Sequence, residues 1–327
     1  MKAWQVTELA EPRKALRLAE VSRPEPGPGQ LLVRVAASAL NFPDVLLCLG
    51  LYQIRPPLPF TPGLELCGEI AGLGEGAEGW TVGERVIGNP ILPGGSFAEY
   101  VLMDALDTFR APSSLSDEAA AALHIAYQTA WVGLHRRAHI QPGETLLVHA
   151  GAGGVGSAAV QVGKAAGARV IAVVGGPEKA DAATKLGADV VIDRRAQDFV
   201  AVVKEATEGR GADVVFDPVG GEAYTGSAKC VAFEGRILVV GFAGGAVPSP
   251  ALNHALVKNY SIVGLHWGLY REKDPAQVAA AHAELTRLAD SGAIAPLVSG
   301  RLTLGEVPDG LTSLAAGDTI GRLVLVL

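Results

Sequence analysis

The chain predicts an α/β protein of two domains, a mostly-β segment followed by a doubly wound parallel sheet. Three observations carry that reading. The run Val148-His149-Ala150-Gly151-Ala152-Gly153-Gly154-Val155-Gly156 follows the apolar Leu146 and Leu147 and precedes helically spaced small residues. Short apolar runs alternate with helical segments from Thr145 to Leu265. Before residue 118 the chain is instead punctuated by Pro and Gly, at 24–29, 56–59 and 93–95. At 327 residues there is room for about two domains, taking roughly 100–200 residues for each.

Composition narrows the function classes. With 27 basic and 34 acidic residues the net charge is −7, and no basic block stands out. Binding to nucleic acid through phosphate neutralisation is therefore disfavoured. Cys48, Cys67 and Cys230 are scattered with no CxxC pair, which suits a reducing compartment and offers no disulfide framework. Met1 leads directly into the strand-like Lys2-Ala3-Trp4-Gln5-Val6, without the apolar core of a signal peptide, and no apolar run reaches membrane-spanning length. A cytoplasmic protein that does not engage a membrane is expected.

The first domain, 1–118, is built from short β-like runs at 31–35, 65–70, 85–87 and 97–101, separated by turns. Ser116 is placed as an N-cap, with Asp117 and Glu118 in the first turn of an Ala-rich helix running towards His135. The second domain, 119–267, has strands at Thr145–His149, Arg169–Val174, 190–192, 213–216, 236–240 and 261–265. Crossover helices at 178–186 and 197–207 make this a βαβ series and hence a parallel sheet. A helix at Pro275–Asp290 and β-like runs at 302–304 and 322–327 are expected to return and complete the first domain, as 268–327.

Strand, glycines and helix follow one another in the order a dinucleotide phosphate needs. A helix N-terminus offers free backbone N–H groups and a partial positive charge. Gly151 and Gly153 suit a tight turn close to the pyrophosphate, Gly154 and Val155 open the helix, and Gly156 suits close packing of helix on strand. An NAD site usually carries an acid about 20 residues further on, bonded to the ribose 2′-hydroxyl. Here the second strand ends Val173-Val174-Gly175-Gly176, so glycine occupies the acid position. Lys179 stands in the next first turn and Arg194-Arg195 follows the third strand, where Lys179 and Arg194 could meet around a 2′-phosphate. NADPH is the expected cofactor; Asp193 is a counter-signal expected to point elsewhere.

Segments spread over the whole chain then resemble one family. Asn41-Phe42-Pro43-Asp44, Gly50-Leu51-Tyr52, Pro57-x-Pro59-Phe60-x-Pro62-Gly63-x-Glu65-x-x-Gly68 and the glycine turn lie in order. Tyr127-x-Thr129-Ala130, Asp217-x-Val219-Gly220, Val240-Gly241-Phe242 and Gly264-x-His266-Trp267-Gly268 continue the pattern. Together they resemble the medium-chain dehydrogenase/reductase superfamily, and within it the zinc-independent NADPH:quinone oxidoreductases of the zeta-crystallin-like branch. The resemblance implies a GroES-like catalytic domain and a Rossmann cofactor domain. Zinc relatives carry a Cys near the position of Ser38 and a His in a Gly-His-Glu motif that here reads Gly63-Leu64-Glu65. Their four structural cysteines have no counterpart around 93–100. No metal is expected, since zinc sites take three or four His, Cys or carboxylate ligands.

Without a Lewis acid for an alkoxide, hydride transfer to an electrophilic quinone fits better than alcohol oxidation. The acceptor oxygen then needs a hydrogen-bond donor or proton source. The resemblance puts Asn41 and Tyr52 beside the nicotinamide, with Asn41 orienting the ring or acceptor and Tyr52 donating its O–H. It also brings Thr129, Phe242, His266 and Trp267 to the cofactor, although Thr129 and Trp267 would serve equally as packing. Asp44 and His124 read as structural. Leu46 stands where the family often has a second tyrosine, removing one polar group. The alternatives are a reductase of an activated C=C bond, in an enone or enoyl thioester, and a non-catalytic NADPH-binding protein of the crystallin or RNA-binding kind. A homodimer joined near 261–265 is what the resemblance implies.

Overall fold

The computed structural model describes all 327 residues. In chain order the strands are β1 (Lys2–Val6), β2 (Leu16–Glu20), β3 (Gln30–Ala39), β4 (Leu66–Leu73), β5 (Arg85–Pro90) and β6 (Tyr100–Arg110). There follow β7 (Thr145–His149), β8 (Arg169–Val174), β9 (Val190–Asp193), β10 (Ala212–Asp217), β11 (Val231–Val239) and β12 (Ser261–Gly264). The chain closes with β13 (Val298–Leu302) and β14 (Arg322–Val326). Two compact units result, Met1–Ile125 with Pro296–Leu327, and Ala126–Ala295.

The first unit holds an antiparallel β1–β2 hairpin and a six-stranded sheet in the order β13-β14-β3-β4-β5-β6, in which β6 also pairs with β3. That extra pairing curls the sheet towards a barrel, and curling removes edges that would otherwise stay unpaired. Inside lie Leu31, Val33, Val35, Leu66, Ile70, Val86, Val101 and Met103. A second cluster, with Phe60, Phe97, Val45 and Leu47 among its members, packs around the helix Phe42–Leu49.

The second unit is a six-stranded sheet, parallel throughout, in the order β12-β11-β10-β7-β8-β9. Its central strands read as continuous apolar runs, and β7 is buried along its whole length, as a sheet covered on both faces requires. The chain moves outward from β7 to β9 and then outward again on the other side from β10. The strand order therefore reverses between β7 and β10, and ligands of open α/β sheets bind at the carboxyl ends beside such a reversal.

Three expectations need correction. The helix Pro275–Asp290, with the short helix Gly268–Lys273 before it, groups with the second unit, so only 296–327 returns to the first. The Gln128 amide donates to the Val278 carbonyl, and Gln161 brackets Ala295 by donating to its carbonyl and accepting its N–H. The first unit runs to Ile125 rather than 118, and the helix capped by Ser116 is not continuous. It stops at Ala121, resumes as His124–Trp131 and ends in a π-helical turn, Val132–Arg137. At the break the Ile125 N–H donates to the Glu65 carboxylate rather than along the helix. Finally, β6 begins at Tyr100 and not at 97, while Phe97 and Ala98 are buried before it, Ala98 in a bridge to Ala3 and the Phe97 carbonyl accepting the Trp4 N–H. No helix is long and apolar enough to cross a membrane.

Candidate active site

The glycine turn of the second unit carries its sharpest bend at Ala150, which sits at φ 50°, while Gly151 and Gly153 keep negative φ. The tight turn thus belongs to Ala150, and the glycines serve close approach. A Cβ on Gly156 would lie 2.0 Å from the Ala150 carbonyl oxygen, and one on Gly151 would lie 2.8 Å from the Ala172 Cβ. Both are contacts that a real side chain cannot make, so strand and helix touch backbone to backbone here. The helix Gly154–Ala165 starts from Gly153 with no side chain capping it. Its first-turn N–H groups, those of Gly154 and Val155 included, are therefore free of a side-chain acceptor and suited to an anion.

Beneath this turn His149 is buried, and its Nε2 lies 2.7 Å from the Ser227 hydroxyl. Burial pulls its pKa down to about 4, against the nearby Asp217 charge, so it is neutral at physiological pH. Asp217, at the end of β10, accepts the N–H groups of Val219 and Gly220 and braces the loop across the reversal from the glycine turn. Sequence reading passed over His149 as part of the strand; its burial is visible only in the fold.

At the end of β8, a Cβ on Gly175 would lie 3.4 Å from Arg194 Nε and 3.6 Å from Arg195 Nε. One on Gly176 would lie 3.1 Å from Arg195 Nη1. Two guanidiniums therefore stand over the glycine pair. Arg195 joins Arg194 here, an addition that the adjacent pair in the sequence could have signalled. Asp193 is spent elsewhere: its Oδ1 accepts the N–H of Gly176 and of Arg195, at 2.8 and 2.9 Å. Those two backbone donors hold its carboxyl below the usual range. The counter-signal is thus a brace between loops. Lys179 is half-buried in the first turn of the helix Pro177–Lys185. These features fit a dinucleotide with a 2′-phosphate, since the cradle excludes a Cβ, two guanidiniums stand over Gly175-Gly176 and Asp193 is engaged by backbone N–H groups.

Elsewhere at the carboxyl edge, Phe242 is half-exposed beside Gly220, His266 is exposed and Trp267 is buried. Thr129 is partly exposed on the helix His124–Trp131, next to Tyr127, whose hydroxyl accepts from Gln161.

In the first unit, Asn41 precedes the helix Phe42–Leu49 and is almost fully buried. Its Nδ2 donates to the Ala39 carbonyl at 3.1 Å and to Glu65 Oε1 at 2.8 Å. Its backbone N–H donates to Asp44 Oδ2, and Asp44 Oδ1 accepts from the Gly63 N–H. Glu65 is wholly buried, pairs with Arg322 of β14, and accepts from the Ile125 N–H at 2.7 Å. Burial pushes the Glu65 carboxyl upward, and Arg322 pulls it back. Burial likewise lifts Asp44 to about 7, opposed by its two backbone donors. Tyr52 and Leu64 are half-buried against the apolar cluster that holds Phe60 and Phe97, and Leu46 is partly exposed on the helix. Ser38 bonds the Glu65 carbonyl and the Ser96 hydroxyl. No three His, Cys, Asp or Glu residues are grouped to hold a metal.

His124 is buried with Nε2 2.9 Å from Asn89 Oδ1. The Asn89 amide nitrogen already donates to the Leu64 carbonyl, so Oδ1 is the acceptor and Nε2 carries the proton. That is a structural histidine. The three thiols are buried as well, which pushes Cys48 and Cys67 up to about 12 and Cys230 to about 11.

Comparison with known proteins places these features. Residues 27–113 match the alcohol dehydrogenase GroES-like domain, and 154–284 match the zinc-binding dehydrogenase domain. Mouse quinone oxidoreductase-like protein 2 is 35% identical over 327 residues, which are 100% of this chain and 92% of that protein. The chain belongs to the zinc-independent quinone oxidoreductase branch of the medium-chain dehydrogenase/reductase superfamily. Among solved members of this superfamily, Escherichia coli quinone oxidoreductase complexed with NADPH is similar at a TM-score of 0.93 and 29% identity, covering 100% of both chains. CurK enoyl reductase is similar at 0.89 and 28%, covering 99% of this chain and 98% of that one. Ser38 and Leu64 stand where the family resemblance would place zinc ligands. Both are engaged, Ser38 in hydrogen bonds and Leu64 in apolar packing.

Proposed function

We propose that this chain is an NADPH-dependent reductase that passes hydride to a quinone. The observation that carries the cofactor choice is the Gly175-Gly176 pair under Arg194 and Arg195, with the Asp193 carboxylate tied to backbone N–H groups. A 2′-phosphate adds about two negative charges, which two guanidiniums meet with charge-assisted hydrogen bonds. Lys179 stands in the adjoining first turn. The E. coli relative solved with NADPH supports the same choice.

NADPH held on the glycine turn supplies hydride from C4 of its nicotinamide. The amides of Gly154 and Val155 would hold its pyrophosphate, with Gly151, Gly153 and Gly156 leaving room for it. Thr129, Phe242, His266 and Trp267 would line the nicotinamide end. Reduction of a quinone to a hydroquinone takes one hydride, hence two electrons, and one proton. Tyr52 donates its O–H to the acceptor oxygen as negative charge grows there, and Asn41 orients the nicotinamide or acceptor. The edge strand β12, exposed and paired on one side only, joins two copies into a homodimer.

A second reading, reduction of an activated C=C bond, is favoured by the likeness to CurK enoyl reductase and by Leu46 in place of a family tyrosine. Steady-state NADPH oxidation with phenanthrenequinone and with crotonyl-CoA separates the two. The quinone is expected to give the higher kcat/KM. Turnover of the thioester alone would replace the first reading with the second.

A further inference from the structure

The Asn41 amide group is held by its nitrogen. One N–H is taken by the Ala39 carbonyl and the other by Glu65 Oε1, so both donors are committed to fixed protein acceptors. A primary amide has two N–H hydrogens and one oxygen. What Asn41 has left is therefore Oδ1, an acceptor, which faces the Asp44 backbone N–H in the capping box of the helix Phe42–Leu49 and keeps a second lone pair for a ligand. Glu65 is itself over-determined: it meets the Asn41 amide, the Arg322 guanidinium and the Ile125 backbone N–H, all of them donors. A protonated carboxyl would need an acceptor for its own O–H, and none of these partners is one. The set fits only the carboxylate, for which Arg322, 5% exposed, supplies the counter-charge from the far end of the chain.

We propose that Glu65 and Arg322 are positioning residues that fix Asn41 as a hydrogen-bond acceptor, and that its Oδ1 receives an N–H of the nicotinamide carboxamide. The inference rests on the reading that Asn41 faces the cofactor, and it goes further by fixing the polarity of the contact. It divides the two polar residues by role. Asn41 cannot stabilise an oxyanion, because that task needs a donor, so Tyr52 alone carries it. It also explains why a buried ion pair is spent beside a neutral amide. Without Glu65 the amide can turn over and offer N–H2 in place of Oδ1.

The test compares NADPH with the reduced 3-acetylpyridine analogue, whose acetyl group has no N–H to give. The readout is the ratio of kcat/KM values for the two cofactors with phenanthrenequinone as acceptor. Asn41→Leu removes the contact. Glu65→Gln with Arg322→Met removes both buried charges together, so that neither is left unpaired. In that double variant the oxygen of the introduced amide takes the Ile125 N–H, and its N–H2 donates to Asn41 Oδ1, undoing the lock. Both variants are expected to reduce the preference for NADPH over the analogue by about tenfold relative to the unaltered protein, the worth of one good hydrogen bond. A merely structural role for the pair would lower both kcat/KM values equally and leave the ratio alone. A ratio moved by Asn41→Leu but not by the double variant overturns the positioning role and leaves the reading of Asn41 standing. A ratio moved by neither overturns both.

Discussion

Single residues carry the chemistry, and their roles divide by what each hydrogen-bonding group has left to give. The Asn41 nitrogen is fully engaged by Ala39 and Glu65, whereas Tyr52 brings a hydroxyl on a ring that packs against the apolar cluster of the first unit. Tyr52→Phe keeps that packing and removes the O–H. It is expected to lower kcat with a quinone by about 100-fold, the smaller end of what general acid catalysis contributes, with little change in KM for NADPH. Stopped-flow or steady-state kinetics read this directly. The family resemblance made Asn41 and Tyr52 legible as candidates, and glycine at 175 made the cofactor choice legible. Glu65 and Arg322 were not legible as a pair, because 257 positions separate them and only the pairing of β14 with β3 brings the last strand into the first unit. Arg195 was within reach of sequence reading as the neighbour of Arg194, yet only the fold shows both guanidiniums over one glycine pair.

At the scale of the element, the strand–turn–helix of β7 and Gly154–Ala165 is the part most completely written in sequence. Its apolar run, glycines and small helical face agree with one another at every level, which is what makes a segment readable. The physical cause of the glycines is narrower than sequence spacing suggests. Ala150 makes the left-handed bend, and Gly156 is required by the Ala150 carbonyl 2.0 Å from where a Cβ would sit. Gly156→Ala must push helix from strand. It is expected to cost about 1–3 kcal/mol, the range for overpacking, and to abolish the stabilisation that NADPH otherwise confers. Urea denaturation with and without NADPH measures both effects. The helix after Ser116 shows the opposite case. Its cap and Ala-rich composition were legible, but its break was not, since the cause is a carboxylate 60 positions earlier that takes the Ile125 N–H.

For the molecule as a whole, a mostly-β segment and a parallel sheet followed from turn density and βαβ spacing. The assignment of 268–295 did not, because it is settled by two glutamine side chains that contact distant backbone. Global stability carries the buried ionisable groups with it, and two of them act in opposite senses. Asp44 is raised from 3.8 to about 7, so its folded form binds the proton more tightly than the unfolded chain. Its contribution is present at low pH and is lost as pH rises through that window. His149 is lowered from 6.5 to about 4, so its contribution is present above 6.5 and is lost as pH falls. Chemical denaturation between pH 4 and 7 should therefore show the unaltered protein losing ground to Asp44→Asn as pH rises, and gaining ground on His149→Gln. Parallel stability curves for all three proteins would contradict this.

On the proposed function, Arg194 and Arg195 over Gly175-Gly176 make this family member run on NADPH. The ratio of kcat/KM for NADPH to that for NADH, with phenanthrenequinone as acceptor, tests it most directly. The unaltered protein should favour NADPH by about 100-fold, from charge-assisted bonds worth roughly 1.5–3 kcal/mol each. Replacing both arginines by alanine should bring the ratio close to one by raising KM for NADPH alone. A ratio at or below one in the unaltered protein would contradict the account.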